Sequence, residues 1–223
     1  MRLSIIIPAY NEIDTIPEVL RRVRAEEFDK QIIAVDDCST DGTREFLREQ
    51  RDVELVENTC NAGKGASIRA GLERANGDIV IIQDADLEYD PRDYAKLIEP
   101  IVEGRADIVY GTRFAGARPD MRLANYIANK VFAWIATILY GVHVTDEATC
   151  YKVFRTEVIK SLDLRCRRFE FCPEVTARLL KRGYRYAEVP ISYQARTYGQ
   201  GKKIKWYDGV ECIWTLIKYR LVG

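Results

Sequence analysis

The feature that most constrains this chain is a rhythm in its first half. Short apolar, β-branched runs end in polar clusters and alternate with segments of helical spacing. LSIIIP (Leu3–Pro8), QIIAV (Gln31–Val35), VELVE (Val53–Glu57), DIVII (Asp78–Ile82) and DIVYG (Asp107–Gly111) read as buried strands. Between them, Asp14–Ala25 sets Ile16, Leu20 and Val23 on one helical face, and Gly63–Ala75 does so with Ile68 and Leu72. Thr43–Gln50, with Thr40 or Asp41 as its cap, and Pro91–Val102 complete the helices of this half. Alternation of this kind predicts an α/β fold with a mostly parallel sheet covered by helices on both faces. Ligands of such sheets bind beyond the carboxyl ends of the strands. The polar clusters after the first, second and fourth strands are therefore expected at one cleft.

The second half is less regular. Leu123–Gly141 reads as a long helix, Tyr151–Phe154 as a short strand, Glu170–Arg182 as a helix and Tyr184–Pro190 as a strand. Ser192–Lys205 is a polar, basic loop containing glycine, and Ile204–Leu221 an amphipathic helix. No Pro/Gly/Ser-rich linker divides the 223 residues, which predicts a single domain over 1–223 with a C-terminal helical extension.

Composition narrows the function classes. Hydrophobic residues at 47% and charged residues at 30% exclude a disordered chain. Thirty-four basic residues cancel thirty-four acidic ones, which gives no support to nucleic acid as a partner and requires any anion site to be local. Six cysteines without a CxxC pair, and a single histidine, His143, argue against a zinc site. The N-terminal apolar run is too short for a signal peptide, so reduced thiols and a cytoplasmic location are expected. The longest stretch without charge, Val131–Thr145, falls short of the about 18–20 residues that cross a bilayer.

Five segments can carry chemistry. Asp84-Ala85-Asp86 follows the apolar strand DIVII, and residues i and i+2 of extended backbone share a side. Two hard carboxylates there suit Mg2+ or Mn2+, with nucleotide phosphates completing the shell and Glu88 as a third ligand, directly or through water. The bland alternative is a loop of solvated acids or caps. Pro8-Ala9-Tyr10-Asn11-Glu12 and Asp36-Asp37 end the first two strands, where carboxylates can accept from ribose or base while Tyr10 or Pro8 packs on the base. Turn chemistry and capping explain either cluster equally well. Asn61-Ala62-Gly63-Lys64-Gly65 lacks the third glycine of GxGxxG and is no GxxxxGK[ST] loop; it is a helix-capping turn or a contact to a nucleotide base. Arg196–Lys205 carries four cations and no acid, either a solvated surface or a phosphate grip. A phosphatase of the haloacid-dehalogenase type places its Asp-x-Asp after the first strand, and a serine hydrolase needs a GxSxG elbow; both patterns are missing here.

Together, SIIIPAYNE (Ser4–Glu12), VDDCSTDGT (Val35–Thr43), NAGKGASIRAG (Asn61–Gly71) and QDADLEYDP (Gln83–Pro91) resemble a family-2 glycosyltransferase with the GT-A fold. GTRF (Gly111–Phe114), the Asp146 region, EVPISYQAR (Glu188–Arg196) and GQGKK (Gly199–Lys203) are similar to dolichyl-phosphate mannose synthase and related polyprenyl-phosphate sugar transferases. The usual Asp-x-Thr-Ser-Gly-Phe-Arg is here Asp146-Glu147-Ala148-Thr149-Cys150-Tyr151-Lys152, and a Ser-Lys pair of the acceptor loop is Gly201-Lys202-Lys203.

The resemblance implies a nucleotide-sugar-binding half over 1–115, an acceptor half over 116–205 and an amphipathic helix over 206–223. Pro8, Tyr10, Glu12, Asp37, Gly63, Lys64 and Asp84 then bind the nucleotide, and Asp84, Asp86 and Glu88 the metal. Asp86, Arg113, Asp146, Arg196 and Lys202 act at the reacting groups, with Asp146 near the sugar and the cations on phosphates. The implied reaction is inverting transfer of a hexose from GDP-mannose or a UDP-hexose to polyprenyl phosphate. A hydroxyl acceptor, with Asp146 or Glu147 as its base, and a non-catalytic nucleotide-sugar-binding regulator are the alternatives. A lipid acceptor calls for a peripheral contact with the cytoplasmic membrane face. Ala124, Ile127, Val131, Ile135, Ile138 and Leu139, with Trp134 and Tyr140, form one apolar face, and Trp206, Trp214 and Tyr219 lie among Lys205, Lys218 and Arg220. Packing on the sheet or a dimer interface would explain the same helices.

Overall fold

The computed structural model describes residues 1–116, 119, 121–195 and 206–222. Seven strands form one sheet: β1 (Leu3–Ala9), β2 (Lys30–Asp36), β3 (Val53–Glu57), β4 (Ile79–Ile82), β5 (Ile108–Thr112), β6 (Lys152–Arg155) and β7 (Tyr186–Pro190). Their order is β3-β2-β1-β4-β6-β5-β7. All neighbours run parallel except β6, which lies antiparallel between β4 and β5. That reversal is not legible in the sequence, because a short strand buried on both faces reads alike in either direction.

The apolar runs alternate across the sheet as extended backbone requires. Leu3, Ile5 and Ile7 face the core shared with α1 (Ile16–Ala25), α2 (Thr43–Arg48) and α4 (Tyr94–Val102). Ile6, Ile33 and Val35 face the core under α3 (Lys64–Arg74), α6 (Thr156–Lys160) and α7 (Phe171–Lys181). A third, smaller core joins α5 (Leu123–Tyr140), α7 and α8 (Trp206–Leu221) around Ala136, Ala177 and Leu216. The two amphipathic helices thus pack chiefly on α7, with Tyr186 of β7 at the edge of their core. The single apolar face expected of α5 is divided: Ile135 and Leu139 pack inward, while Ile127, Val131, Trp134 and Ile138 are exposed.

Helix ends depart from expectation for local reasons. Pro91–Asp93 forms a 3-10 turn ahead of α4, with Asp90 accepting from the Arg92 amide. Gly42, left-handed at φ 100°, occupies the α2 N-cap, and Asp41 serves that helix by accepting from the Thr43 amide. α6 was not anticipated; five residues are too few to show a helical period.

The strand order places a topological switch between β1 and β4. The chain runs outward from β1 to β3, then returns to the other side of β1. α3 makes that return and must lie close to the sheet. A Cβ on Gly71 would stand 2.5 Å from Ile6 Cγ2 and 3.3 Å from Val35 Cγ2. Gly71→Ala is therefore expected to lose about 1–3 kcal/mol of stability through overpacking, despite alanine's better helix propensity. Urea unfolding measures it, and an unchanged midpoint would show that α3 can retreat.

Candidate active site

Three loops leave the carboxyl ends of β1, β2 and β4, and each contains one non-glycine residue with positive φ: Asn11 (51°), Cys38 (66°) and Leu87 (63°). No other described residue except glycine has one. Such conformations persist only where surroundings impose them. Here the loops tie each other down. The Asn11 amide donates to Ser39 Oγ (2.9 Å), and the Thr40 amide donates to Asn11 Oδ1 (2.8 Å). The Glu12 and Ile13 amides donate to Thr43 Oγ1 and Asp41 Oδ2. Thr15 Oγ1 donates to the Ala85 carbonyl at 2.7 Å, joining the first loop to the third.

The third loop is held from beneath. Gln83 is fully buried and accepts from the hydroxyls of Tyr94 and Tyr151, both at 2.7 Å. Its amide donates to the Asp84 carbonyl (3.0 Å), so the carboxylate pair starts from a fixed point.

These loops enclose a cavity of about 530 Å3. Pro8, Tyr10, Glu12, Asp37, Gly63, Lys64, Asp84, Asp86 and Glu88, all singled out from the sequence, line it together. The two members of Asp36-Asp37 divide the work. Asp36 is buried and takes Arg44 Nε at 2.7 Å, a structural pair. Asp37 accepts from the Ala62 and Gly63 amides and from Asn58 Nδ2, all at 2.8 Å, which shapes the cavity wall before any ligand does.

Gly63 and Gly65 serve chain packing. A Cβ on Gly63 would lie 2.5 Å from the Arg167 carbonyl oxygen, and one on Gly65 2.9 Å from that of Arg168. The Gly65 and Ala66 amides donate to those same carbonyls. The first turn of α3 is thus satisfied by protein and brings Arg168 and Phe169 to the cavity. Sequence reading missed both residues, because nothing local distinguishes Arg168 among its neighbouring arginines. Arg168 also donates to Asp208 of α8 at 3.0 Å.

Lys64 Nζ lies 2.6 Å from Asp84 Oδ1 and donates to Cys150 Sγ at 2.9 Å. Burial alone would lower the lysine pKa, but the Asp84 carboxylate holds it well above the usual range, so it is an ammonium. Burial, with Asp84 and Glu88 close by, pushes the Asp86 carboxyl up to about 7. Glu88 accepts from the Tyr193 hydroxyl (3.1 Å), and its carbonyl accepts from the Gln194 amide.

Arg113 and Asp146 meet each other outside this lining. The guanidinium donates through Nε and a terminal nitrogen to the two carboxylate oxygens, both at 2.7 Å, with side chains 7% and 0% exposed. Glu188 of β7 anchors the turn by accepting from the Thr145 and Asp146 amides. Arg196 and Lys202 lie outside the described residues.

The sequence profile described as "Glycosyl transferase family 2" matches residues 4–163. Undecaprenyl-phosphate mannosyltransferase of Micrococcus luteus is 31% identical, over 91% of this chain and 87% of that protein. The chain belongs to glycosyl transferase family 2. A UDP-N-acetylglucosamine–dolichyl-phosphate N-acetylglucosaminyltransferase of Methanococcus voltae is 28% identical, over 98% of this chain and 96% of its own. Among solved structures, glucosyl-3-phosphoglycerate synthase from Mycobacterium tuberculosis, in complex with Mn2+, UDP and phosphoglyceric acid, superposes with a TM-score of 0.77 at 20% identity. That match covers 100% of this chain and 79% of the synthase, and bears on the fold.

A family-2 transferase of this fold raises the question of a metal. Among the described residues, no three or more His, Cys, Asp or Glu side chains form a closed ligand set. An open site fits better. Mg2+ is commonly held by one or two carboxylates and completed by phosphate oxygens, and the negative charge crowded at Asp86 is of the kind a cation relieves.

Removing one partner of a buried ion pair leaves the other uncompensated, at a cost of about 3–5 kcal/mol. Asp146→Ala is expected to lose that much, and Asp146→Asn less, because it keeps an oxygen for Arg113. Equilibrium denaturation of both variants checks this; equal midpoints for wild type and Asp146→Ala would show that the pair contributes nothing to stability.

Proposed function

We propose that this family-2 enzyme transfers a hexose from a nucleotide diphosphate sugar to a polyprenyl phosphate, with inversion at the anomeric carbon. Pro8 and Tyr10 wall the base, and Asp37 and Glu12 offer oxygens to nucleoside N–H and O–H groups. Asp84 and Asp86, with Glu88 beside them, would hold Mg2+ or Mn2+, which when bound neutralises charge on the donor's diphosphate. Lys64 and Arg168 add positive charge at the same cavity.

The observation that carries the acceptor class is the state of the two acids that an alcohol acceptor would need as base. Asp146 is bound in both oxygens by Arg113. Glu147 is fully buried, accepts from Thr176 and sits beside Lys152, whose Nζ donates to the Glu147 carbonyl. A phosphate acceptor is already an anion and needs positioning rather than deprotonation. The relatives that carry undecaprenyl-phosphate and dolichyl-phosphate in their names point the same way. In this reading Asp146 orients Arg113 at the phosphates near the sugar. Arg196 and Lys202 remain the proposed acceptor cations, and the 1–115 and 116–205 segments the donor and acceptor halves of one domain.

The test is transfer of label from GDP- or UDP-hexose, with Mn2+ and polyprenyl phosphate, into an organic extract. Asp84→Ala and Asp86→Ala should each reduce it by about 10²-fold or more. Near-normal turnover in both variants would remove the metal assignment. Nucleotide-sugar binding without transfer to any lipid phosphate or alcohol would instead favour the regulator.

A lipid acceptor also gives meaning to the outer faces of α5 and α8. No described helix is long and apolar enough to cross a membrane. Yet Ile127, Val131, Trp134 and Ile138 of α5, and Val210 and Trp214 of α8, are exposed, with Lys218 and Arg220 nearby in sequence. Exposed indoles, apolar side chains and cations fit the surface of an anionic bilayer. The double variant Trp134→Asp/Trp214→Asp should lose flotation with anionic vesicles while keeping nucleotide binding. Undiminished flotation would mean that another surface makes the contact.

A further inference from the structure

The contact between Lys64 and Asp84 deserves a role beyond general positive charge. Lys64 is the first residue of α3, and the first turn of that helix is fixed by the Arg167 and Arg168 carbonyls. Its stem therefore starts from a rigid point. Its ammonium reaches the first carboxylate of Asp84-Ala85-Asp86 at 2.6 Å, and Cys150 Sγ at 2.9 Å. Cys150 is itself placed, its amide donating to the Tyr89 hydroxyl (3.2 Å). Lys64 and Asp84 both line the cavity.

One oxygen of Asp84 is thus occupied by the protein's own cation. A divalent ion seeking that carboxylate competes with an ammonium already in place. Once displaced, Lys64 remains at the cavity wall on a flexible four-carbon stem, with its charge uncompensated. A nucleoside diphosphate would supply the missing negative charge.

We infer that Lys64 is an exchangeable counter-ion, paired with Asp84 until a divalent cation displaces it and then paired with the donor's diphosphate. Cys150 is the positioning residue that holds the ammonium at Asp84. Metal and nucleotide then bind cooperatively for a reason beyond direct chelation: each removes a cost that the other would meet alone. This rests on the nucleotide-sugar reading of the cleft. By linkage, the nucleotide must strengthen metal binding by the same factor as metal strengthens nucleotide binding.

The experiment measures Mn2+ binding by titration calorimetry and by the thermal shift Mn2+ induces, with and without GDP or UDP. It compares wild type, Lys64→Met, Lys64→Arg and Cys150→Ala. Without nucleotide, Lys64→Met should bind Mn2+ about five- to tenfold tighter than wild type, at the low end of ordinary coupling factors. Its melting temperature should be lowered in chelator and raised more by Mn2+ than that of wild type. The Mn2+–nucleotide coupling factor should fall in the same variant. Lys64→Arg keeps the charge and should resemble wild type, and Cys150→Ala should shift Mn2+ affinity in the direction of Lys64→Met by a smaller factor. Equal or weaker affinity of Lys64→Met for Mn2+ alone, with nucleotide coupling intact, overturns the counter-ion role and leaves the nucleotide-sugar reading standing. Mn2+ binding that responds to neither nucleotide in wild type, or no Mn2+ response in any protein, overturns the reading of the cleft and this inference with it.

Discussion

The pairing of β1 with β4 is the constraint on which the cleft depends. In register from Leu3↔Ile79 to Ile6↔Ile82, it brings together two strands far apart in sequence, at the point where the connections turn back. Beyond Ile82 the two chains part. Pro8–Glu12 leaves on one side and Gln83–Glu88 on the other, and the cavity opens between them. The pairing is a hydrogen-bonded parallel ladder sealed by burial: the β4 residues are at most 2% exposed, and the sheet has a separate apolar core on each face. Apolar area fixes the strands, and the strands fix polar groups that would not cluster by themselves.

The polar layer above the sheet is stabilised by saturation. Gln83, Asp36, Asp37, Asn11 and Ser39 all use their side chains on backbone or on other buried groups. That network over-determines the three left-handed residues, so the loops that line the cavity are held in place. Electrostatic preorganisation of this kind is what the proposed transfer to an anionic acceptor would draw on. The anionic centre at Asp84 and Asp86 is meanwhile balanced by Lys64, contributed from a different helix.

Much of this was legible before the structure. Strand runs and polar ends followed from period and composition, and the convergence of Tyr10, Asp37 and Asp84 on one cavity follows from parallel strands sharing one end. What was not legible has a common physical origin: it depends on contacts between segments distant in sequence. β6 carries no mark of its direction. The glycines of Asn61–Gly65 read as a helix-capping turn or a contact to a base; the turn lines the cavity, and the close approach its glycines allow is to the Arg167–Arg168 backbone. Arg168 gains its place only through that contact. Cys150 looked like a departure from a familiar run of residues, and its meaning came from Lys64, 86 positions earlier. Asp146 and Arg113 were each assigned to substrate, yet their strongest partners are one another.

In the proposed reaction the cleft at the β1–β4 switch holds a nucleoside diphosphate against the Asp84–Asp86 carboxylates. The most direct measurement is a crystal structure grown with Mn2+ and GDP or UDP, with the metal located by its anomalous scattering. One strong peak is expected between those carboxylates and the diphosphate, with the base against Pro8 and Tyr10. A nucleotide bound elsewhere on the molecule, or a metal bound away from Asp84 and Asp86, would contradict it.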